Sequence, residues 1–269
     1  MVQTPNPTPY PDVNAVLHRL FLSVQTVLGS HWVGMYVHGS LVRGDFDPQR
    51  SDIDFVVVTA AELSDETFRA LEAMHAHMRA SGLPWAAKLE GAYIPQHALR
   101  RYDPAHARHP WLGVDGHFAV EQLGSDWVIQ CHVLRGQGVV LAGPAPRALI
   151  DPILPDDLRR AQRATLQEWW VPQLHDTTRL QSGEYQAYAI LAMCRALYTL
   201  QRGTVVSKPV AARWAQQTLG ERWAALIGRA LAWRHDVPFD ALDETLALLR
   251  YTLEHAQRFA MPLRGGRRR

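Results

Sequence analysis

Apolar residues recur in two different rhythms along this chain, and the change between them divides it. From Val13 to Leu28 they follow helical spacing (Val13, Val16, Leu17, Leu20, Phe21, Val24, Val27, Leu28) and stop at Gly29, which predicts a helix over 13–29. Two short runs rich in β-branched and aromatic residues follow, 32–38 and 53–59, and predict strands. Ser64 stands where an N-cap is needed, with Asp65 and Glu66 behind it and Phe68, Leu71, Met74 and Met78 on one face of the helix they predict. Trp85 to Ile94, after Pro84, reads as a third strand, and 95–126, dense in His, Pro and Gly, as loops and short strands. Beyond the Pro- and Gly-rich segment Gly143–Pro155 the spacing is helical throughout, predicting helices over 156–170, 184–202, 208–219, 221–234 and 239–259. The fold class expected is α/β followed by all-α. Residues 1–150 form a mixed β-sheet with helices, and 151–269 a helical bundle domain.

Composition narrows the function classes without choosing one. A chain of 269 residues that is 47% hydrophobic can bury a substantial core in one large or two modest domains. The net charge is only +2 and the basic residues are spread out, apart from Arg267-Arg268-Arg269 after Gly265-Gly266, so no nucleic-acid partner is expected. Cys131 and Cys194 lie far apart in apolar surroundings, which favours two reduced, buried thiols. No stretch has the length and apolarity of a membrane span, and the N-terminus lacks the pattern of a signal peptide, so a cytoplasmic monomer is expected. His106, His109, His117 and His132 lack metal-ligand spacing, so no zinc site is expected.

The chemistry concentrates in HGSLVRGDFDPQRSDIDFVVVT, His38 to Thr59. Strand side chains alternate faces, so Asp52 and Asp54 point the same way at the head of Phe55-Val56-Val57-Val58. Two adjacent carboxylates repel unless a cation sits between them, and hard oxygen ligands suit Mg²⁺ shared with substrate phosphates. Gly39 lets the backbone turn sharply and approach a phosphate, and Ser40 then opens a turn whose N–H groups and hydroxyl can receive phosphate oxygens. A lone Asp-x-Asp is an ordinary strand end and a lone Gly-Ser says little. Their combination, with a strand on each side and the turn residues Gly44, Asp45, Asp47 and Pro48 between, is far more specific. Three further residues have two readings each. Glu90, the one acid of the third strand, could pair with Lys88, two residues away on its face, or complete the carboxylate set. Arg195, in a helix apolar nearly all round, needs an anion: Glu184, Asp176 or a nucleotide's phosphates. Lys208 follows the N-cap Ser207 and precedes Pro209. In that first turn it opposes the helix dipole, so the position gains most if an anion also binds there, although chance surface placement stays open.

The segment resembles the nucleotidyltransferase superfamily of DNA polymerase beta and, within it, the aminoglycoside adenylyltransferases that modify streptomycin and spectinomycin. Leu141-Ala142-Gly143-Pro144 with Asp151-Pro152 is similar to that family's junction between domains. Cys194-Arg195-Ala196-Leu197-Tyr198, Gly203-Thr204-Val205-Val206-Ser207-Lys208 and Ala212-Arg213-Trp214-Ala215 are similar to its helical domain. The resemblance implies Mg²⁺ on Asp52, Asp54 and Glu90, with Glu90 also deprotonating the acceptor hydroxyl. It implies ATP held by Gly39, Ser40, Ser51, Arg195 and Lys208, with the helical domain closing over the triphosphate. The activity implied is transfer of AMP from ATP to a hydroxyl of a small molecule, an aminoglycoside or aminocyclitol, with release of pyrophosphate.

The acceptor is less legible. Leu174 to Tyr188 presents Asp176, Glu184, Tyr185 and Tyr188 in an arrangement that differs from the streptomycin-modifying enzymes, which leaves spectinomycin or another hydroxyl compound open. Trp111, Glu184 and Tyr185 are the candidate acceptor contacts, while Trp169-Trp170 read as core. Two other functions compete: AMP transfer to a partner protein, and nucleotide binding by a regulator that has lost catalysis. The separate helical domain argues against the first, and the intact set Ser40, Asp52, Asp54 and Glu90 against the second.

Overall fold

The computed structural model describes residues 6–49, 51–234 and 237–259. Gly265-Gly266 and the terminal Arg267-Arg268-Arg269 lie outside them. The chain forms two compact units, Met1–Pro152 and Ile153–Arg269.

In the first unit the elements run α1 (Pro11–Leu28), β1 (Trp32–Val37), α2 (Ser40–Arg43), β2 (Ile53–Thr59), α3 (Asp65–Ala80), β3 (Leu89–Pro95), α4 (Gln96–Arg100), β4 (Arg108–Leu112), β5 (Phe118–Gln122), α5 (Asp126–Gln137), β6 (Val139–Ala142) and α6 (Pro146–Leu149). Six strands make one mixed sheet in the order β5-β4-β3-β2-β1-β6. Only β2 and β3 are parallel, as a crossover through α3 requires; the other neighbours are antiparallel. The predicted periodicity of α1 is its buried face, with Val13, Val16, Leu17, Leu20, Phe21, Val24 and Leu28 in one core with Ile53, Phe55, Val57 and Tyr93. Ser64 caps α3 by accepting the Thr67 N–H at 3.2 Å.

Two features of this unit differ from the sequence expectation. The third strand begins at Leu89 rather than Trp85, because Trp85 sits at φ 70°, a left-handed turn, and Ala86–Lys88 form a 3₁₀ turn. The Trp85 ring is spent on Phe46, 5.2 Å between centroids, so its apolarity marks a packed loop rather than a strand. The segment 126–142, to which the periodicity assigned no element, supplies α5 and the edge strand β6.

The second unit is all helix: α7 (Pro155–Thr165), a π-helical turn Leu166–Trp170, α8 (Pro172–His175), α9 (Gly183–Arg202), α10 (Lys208–Thr218), α11 (Glu221–Ala232) and α12 (Leu242–Gln257). α9 packs against α7, α10, α11 and α12, and its buried positions include Ala187, Ala189, Ala192 and Ala196, small enough for close helix approach. Gln186, buried within it, donates to Leu180 O at 2.9 Å and accepts the Ala241 N–H at 2.7 Å, which ties two loops to the central helix. Cys131 and Cys194 are both free and buried, as expected. Among the described residues no helix is long and apolar enough to cross a membrane.

Gly91 lets β3 lie tightly on β2: a Cβ there would fall 2.5 Å from Phe55 O and 2.6 Å from the Phe55 ring. Gly91→Ala should therefore destabilise the protein by about 1–3 kcal/mol through overpacking. A thermal melt in which the variant matches the parent protein would refute this close approach.

Candidate active site

The sheet order brings three strand ends together. β1 is antiparallel to β2 and β3 parallel to it, so the C-terminal end of β1 lies beside the N-terminal ends of β2 and β3. Gly39 and Ser40 leave the first of these, Asp52 and Asp54 begin the second, and Glu90 is the second residue of the third. The turn after β1 is shaped around Asp54. Gly39 has φ 69°, and a Cβ there would lie 1.7 Å from Asp54 Oδ2, so only glycine fits both the backbone and the space. The His38 N–H donates to Asp54 O at 3.1 Å, and Arg43 Nε donates to Gly39 O at 3.3 Å, closing the turn on itself. Ser40 is the first residue of the short helix α2. Ser51 accepts the Asp47 N–H at 3.0 Å and so closes the loop that delivers Asp52.

Register then sets the acids. Asp54 is the direct partner of Glu90 across the parallel pair, and partners in register share a face. Glu90 is mostly buried, and its carboxyl is pushed up to about 8, first by desolvation and then by Asp54, Asp52, Asp126 and Asp115. Asp126 opens α5 and Asp115 lies in the turn between β4 and β5. Both belong to stretches whose folding the sequence pattern did not define, so neither was legible as part of the group. Lys88 does not pair with Glu90; its Nζ lies 3.5 Å from Asp52 Oδ1 instead. Lys88 ends the 3₁₀ turn that leads into β3, beside the residue that leads into β2, because the two strands start together at Ile53 and Leu89.

This donor set fits a hard divalent cation by chemistry, with carboxylate oxygens whose mutual repulsion a cation would relieve. It is not a closed cage: among the described residues no three His, Cys, Asp or Glu side chains are grouped so as to hold a metal as they stand. Asp52 and Asp54 offer the open carboxylate face that suits an ion retaining water and phosphate oxygens.

His38, the first residue of the Gly-Ser motif, has a structural part the sequence reading did not give it. It is buried, hydrogen-bonded to Gln130 of α5 and edge-on to Trp127 at 6.4 Å. Burial lowers its pKa against the opposing pull of Asp54, so it backs the Asp54 strand end as a neutral ring. Trp111 is half-buried on β4, directly opposite Ala92, which puts it on the sheet face that carries Glu90.

The remaining candidates lie in the helical unit. Arg195 is half-buried rather than enclosed, and among the described residues neither Glu184 nor Asp176 pairs with it. A half-exposed guanidinium needs no buried protein counter-ion, so neither of those carboxylates is required for it. Lys208 is the first residue of α10, with its Nζ 4.4 Å from the centre of the Tyr188 ring. Ser207 holds the N-cap position, but its hydroxyl makes no capping bond. Glu184 is exposed and Tyr185 half-buried in the first turn of α9. The expectation that Trp169 and Trp170 are both core is half wrong. Neighbouring residues point in different directions on any helix, and in this π turn, closed by the bond from Val171 N to Leu166 O, Trp170 is 4% exposed and Trp169 is 44% exposed. Trp169 Nε1 donates to the Tyr185 hydroxyl at 3.2 Å, and Trp170 stacks on Tyr188 at 5.9 Å.

Comparison with known proteins agrees with this geometry in both units. A model of the nucleotidyltransferase domain matches residues 25–96, and one of the aminoglycoside adenylyltransferase C-terminal domain matches residues 148–258. The aminoglycoside (3'') (9) adenylyltransferase of Shigella flexneri is 27% identical over 228 residues, 80% of this chain and 83% of that protein. The protein of the same name from Rhizobium radiobacter is 28% identical over 228 residues, 80% of this chain and 81% of its own. The crystal structure of a spectinomycin adenyltransferase from Enterococcus faecialis with ATP and spectinomycin shares the fold, with a TM-score of 0.72 at 19% identity, over 89% of this chain and 98% of that one. With both of its units matched in this way, the chain carries a nucleotidyltransferase domain followed by a region that matches the aminoglycoside adenylyltransferase C-terminal domain, and it is a nucleotidyltransferase.

Proposed function

We propose that the protein is a Mg²⁺-dependent adenylyltransferase that moves AMP from ATP to a hydroxyl of an aminoglycoside or aminocyclitol and releases pyrophosphate. The observation that carries this reading is the pairing of Asp54 with Glu90 in register, beside the Gly39 turn and with Asp52 next to it. The relatives named as aminoglycoside adenylyltransferases, and the related fold crystallised with ATP and spectinomycin, support the choice of substrates.

In this reading the acceptor hydroxyl gives its proton to Glu90 while its oxygen attacks the α-phosphorus. The bond to the β-phosphate oxygen breaks opposite, and pyrophosphate leaves with that electron pair. A carboxyl pushed up to about 8 is a stronger base than an ordinary glutamate once it has released its own proton. Mg²⁺ on Asp52 and Asp54, with Glu90 adjacent, supplies charge neutralisation for the phosphates and relieves the repulsion that raises Glu90. Ser40, Ser51 and the backbone N–H groups after Gly39 donate to phosphate oxygens. Arg195 and Lys208 supply cationic donors for the charge that builds on the leaving pyrophosphate. Trp111 offers a face for a sugar or cyclitol ring, and Glu184 with Tyr185 an anion and a hydroxyl for a cationic, polyhydroxylated acceptor. In this reading the reaction takes its ATP from the cytoplasm.

Pyrophosphate release with ATP, Mg²⁺ and a panel including streptomycin and spectinomycin tests the reading. Asp52→Asn and Asp54→Asn should remain folded and lose about 100-fold or more of that turnover; undiminished release from either would sink the assignment.

Glu90 gives a second test, on stability. Between about pH 4.5 and 8 the folded protein keeps the Glu90 proton that the unfolded chain has released, so burial of this group costs stability increasingly as pH rises through that window. Glu90→Gln removes the cost. The variant should be inactive yet, without metal at pH 8, more stable by about 1–2 kcal/mol, a difference that should vanish towards pH 4. Equal melting temperatures at pH 8 would contradict it.

A further inference from the structure

The parallel ladder that pairs Asp54 with Glu90 begins at Ile53 and Leu89, and the residues just before it, Asp52 and Lys88, meet through their side chains. The entrance to β2 and β3 thus presents a quartet: Asp52 with Lys88 just before the strands, then Asp54 with Glu90 within them. It contains three carboxylates and one ammonium. The Lys88–Asp52 pair is long, 3.5 Å, and open to solvent, with side chains 49% and 32% exposed. An exposed pair of this kind adds little to folding. Its consequence is local: a positive charge lies against one of the carboxylates that the metal reading needs.

We propose that Lys88 is a tethered counter-ion of Asp52 in the metal-free enzyme, which a divalent cation must displace. The inference rests on Asp52 being a metal ligand. Lysine suits the part because its ammonium is a compact charge on a flexible four-carbon stem, able to leave without disturbing the strand. While it stays, it partly balances Asp52; once a dication takes the carboxylate, like charges repel and the lysine swings outward. Lys88 thus lowers the affinity of the site for metal alone and favours entry of the cation together with an anionic triphosphate, whose charge offsets the repulsion.

The probe is Mn²⁺ without nucleotide, titrated into the full-length protein and followed by loss of the free-ion electron paramagnetic resonance signal. Lys88→Met should bind Mn²⁺ about three- to tenfold more tightly than the parent protein, the size expected for removing one charge at this range in partly aqueous surroundings. Lys88→Arg, which keeps the charge, should stay near the parent value. Thermal melts of both should match the parent. Arg101→Gln is the control for net charge, since Arg101 pairs with Asp151 instead; its affinity should not change. Unchanged affinity in Lys88→Met, with binding lost in Asp52→Asn, overturns the counter-ion role and leaves the metal reading intact. Equal tightening in Arg101→Gln also overturns it, as does failure of both parent and Lys88→Met to bind Mn²⁺. Parent-like binding by Asp52→Asn instead removes the metal reading and the inference with it.

Discussion

Everything proposed for the first unit depends on the parallel register of β2 and β3. Strand side chains have a period of two, so a slip of one residue would carry Glu90 to the opposite face and leave Asp54 beside an apolar neighbour. Several independent features hold the register. Ile53, Phe55 and Val57 on one strand and Leu89 and Tyr93 on the other must face the core packed under α1. Gly91 admits the close approach of Phe55, and Gly39 fits against the Asp54 carboxylate only where Asp54 now stands. The core thereby fixes the functional face by excluding every alternative for the buried one.

That arrangement places cost and chemistry in the same group. A glutamate held mostly out of water, among four aspartates that all act to raise it, is a poor residue for stability. The sheet can carry it because the opposite face is densely apolar and because Lys88 already balances part of the charge at Asp52. In acyl- and phosphoryl-transfer sites generally, groups that await a transition state are kept in electrostatic conditions they would not choose in the ground state. Glu90 fits that pattern: a cation on Asp52 and Asp54 would relieve the part of its shift that their charges cause.

The sequence made the composition of this site readable but not its wiring. Asp52 and Asp54 could be placed on one strand face from alternation alone, and the Gly39 turn from its context. Which residue faced which could not be read, because register is a long-range property. Lys88 was therefore weighed as a partner of Glu90, its neighbour in sequence, when its partner is Asp52 across the strand gap. Asp115 and Asp126 escaped notice for a similar reason. They sit in segments of mixed His, Pro, Gly and acidic composition, where neither the two-residue nor the 3.6-residue rhythm is sustained. Trp169 reads as core together with Trp170 because adjacent helical residues cannot share one face, and that same divergence turns Trp169 out to solvent while Trp170 is buried.

The helical unit shows a different division of labour. α9 buries alanines together with Ile190, Met193, Leu197 and Leu200 against four neighbouring helices, so its backbone is held closely at the centre of the unit. Arg195 emerges half-exposed from that otherwise buried helix, and Lys208 opens α10 over the face of Tyr188. Tyr188 in turn stacks on the buried Trp170. A cation resting on an aromatic face is held by an attraction of order 1 kcal/mol. That is enough to bias where the ammonium waits, and far less than a charge-assisted bond to phosphate would offer. The aromatic platform is therefore better suited to presenting Lys208 than to retaining it. Lys88 and Lys208 have in common a contact of modest strength, with the solvent-exposed Asp52 carboxylate in one case and the Tyr188 ring in the other.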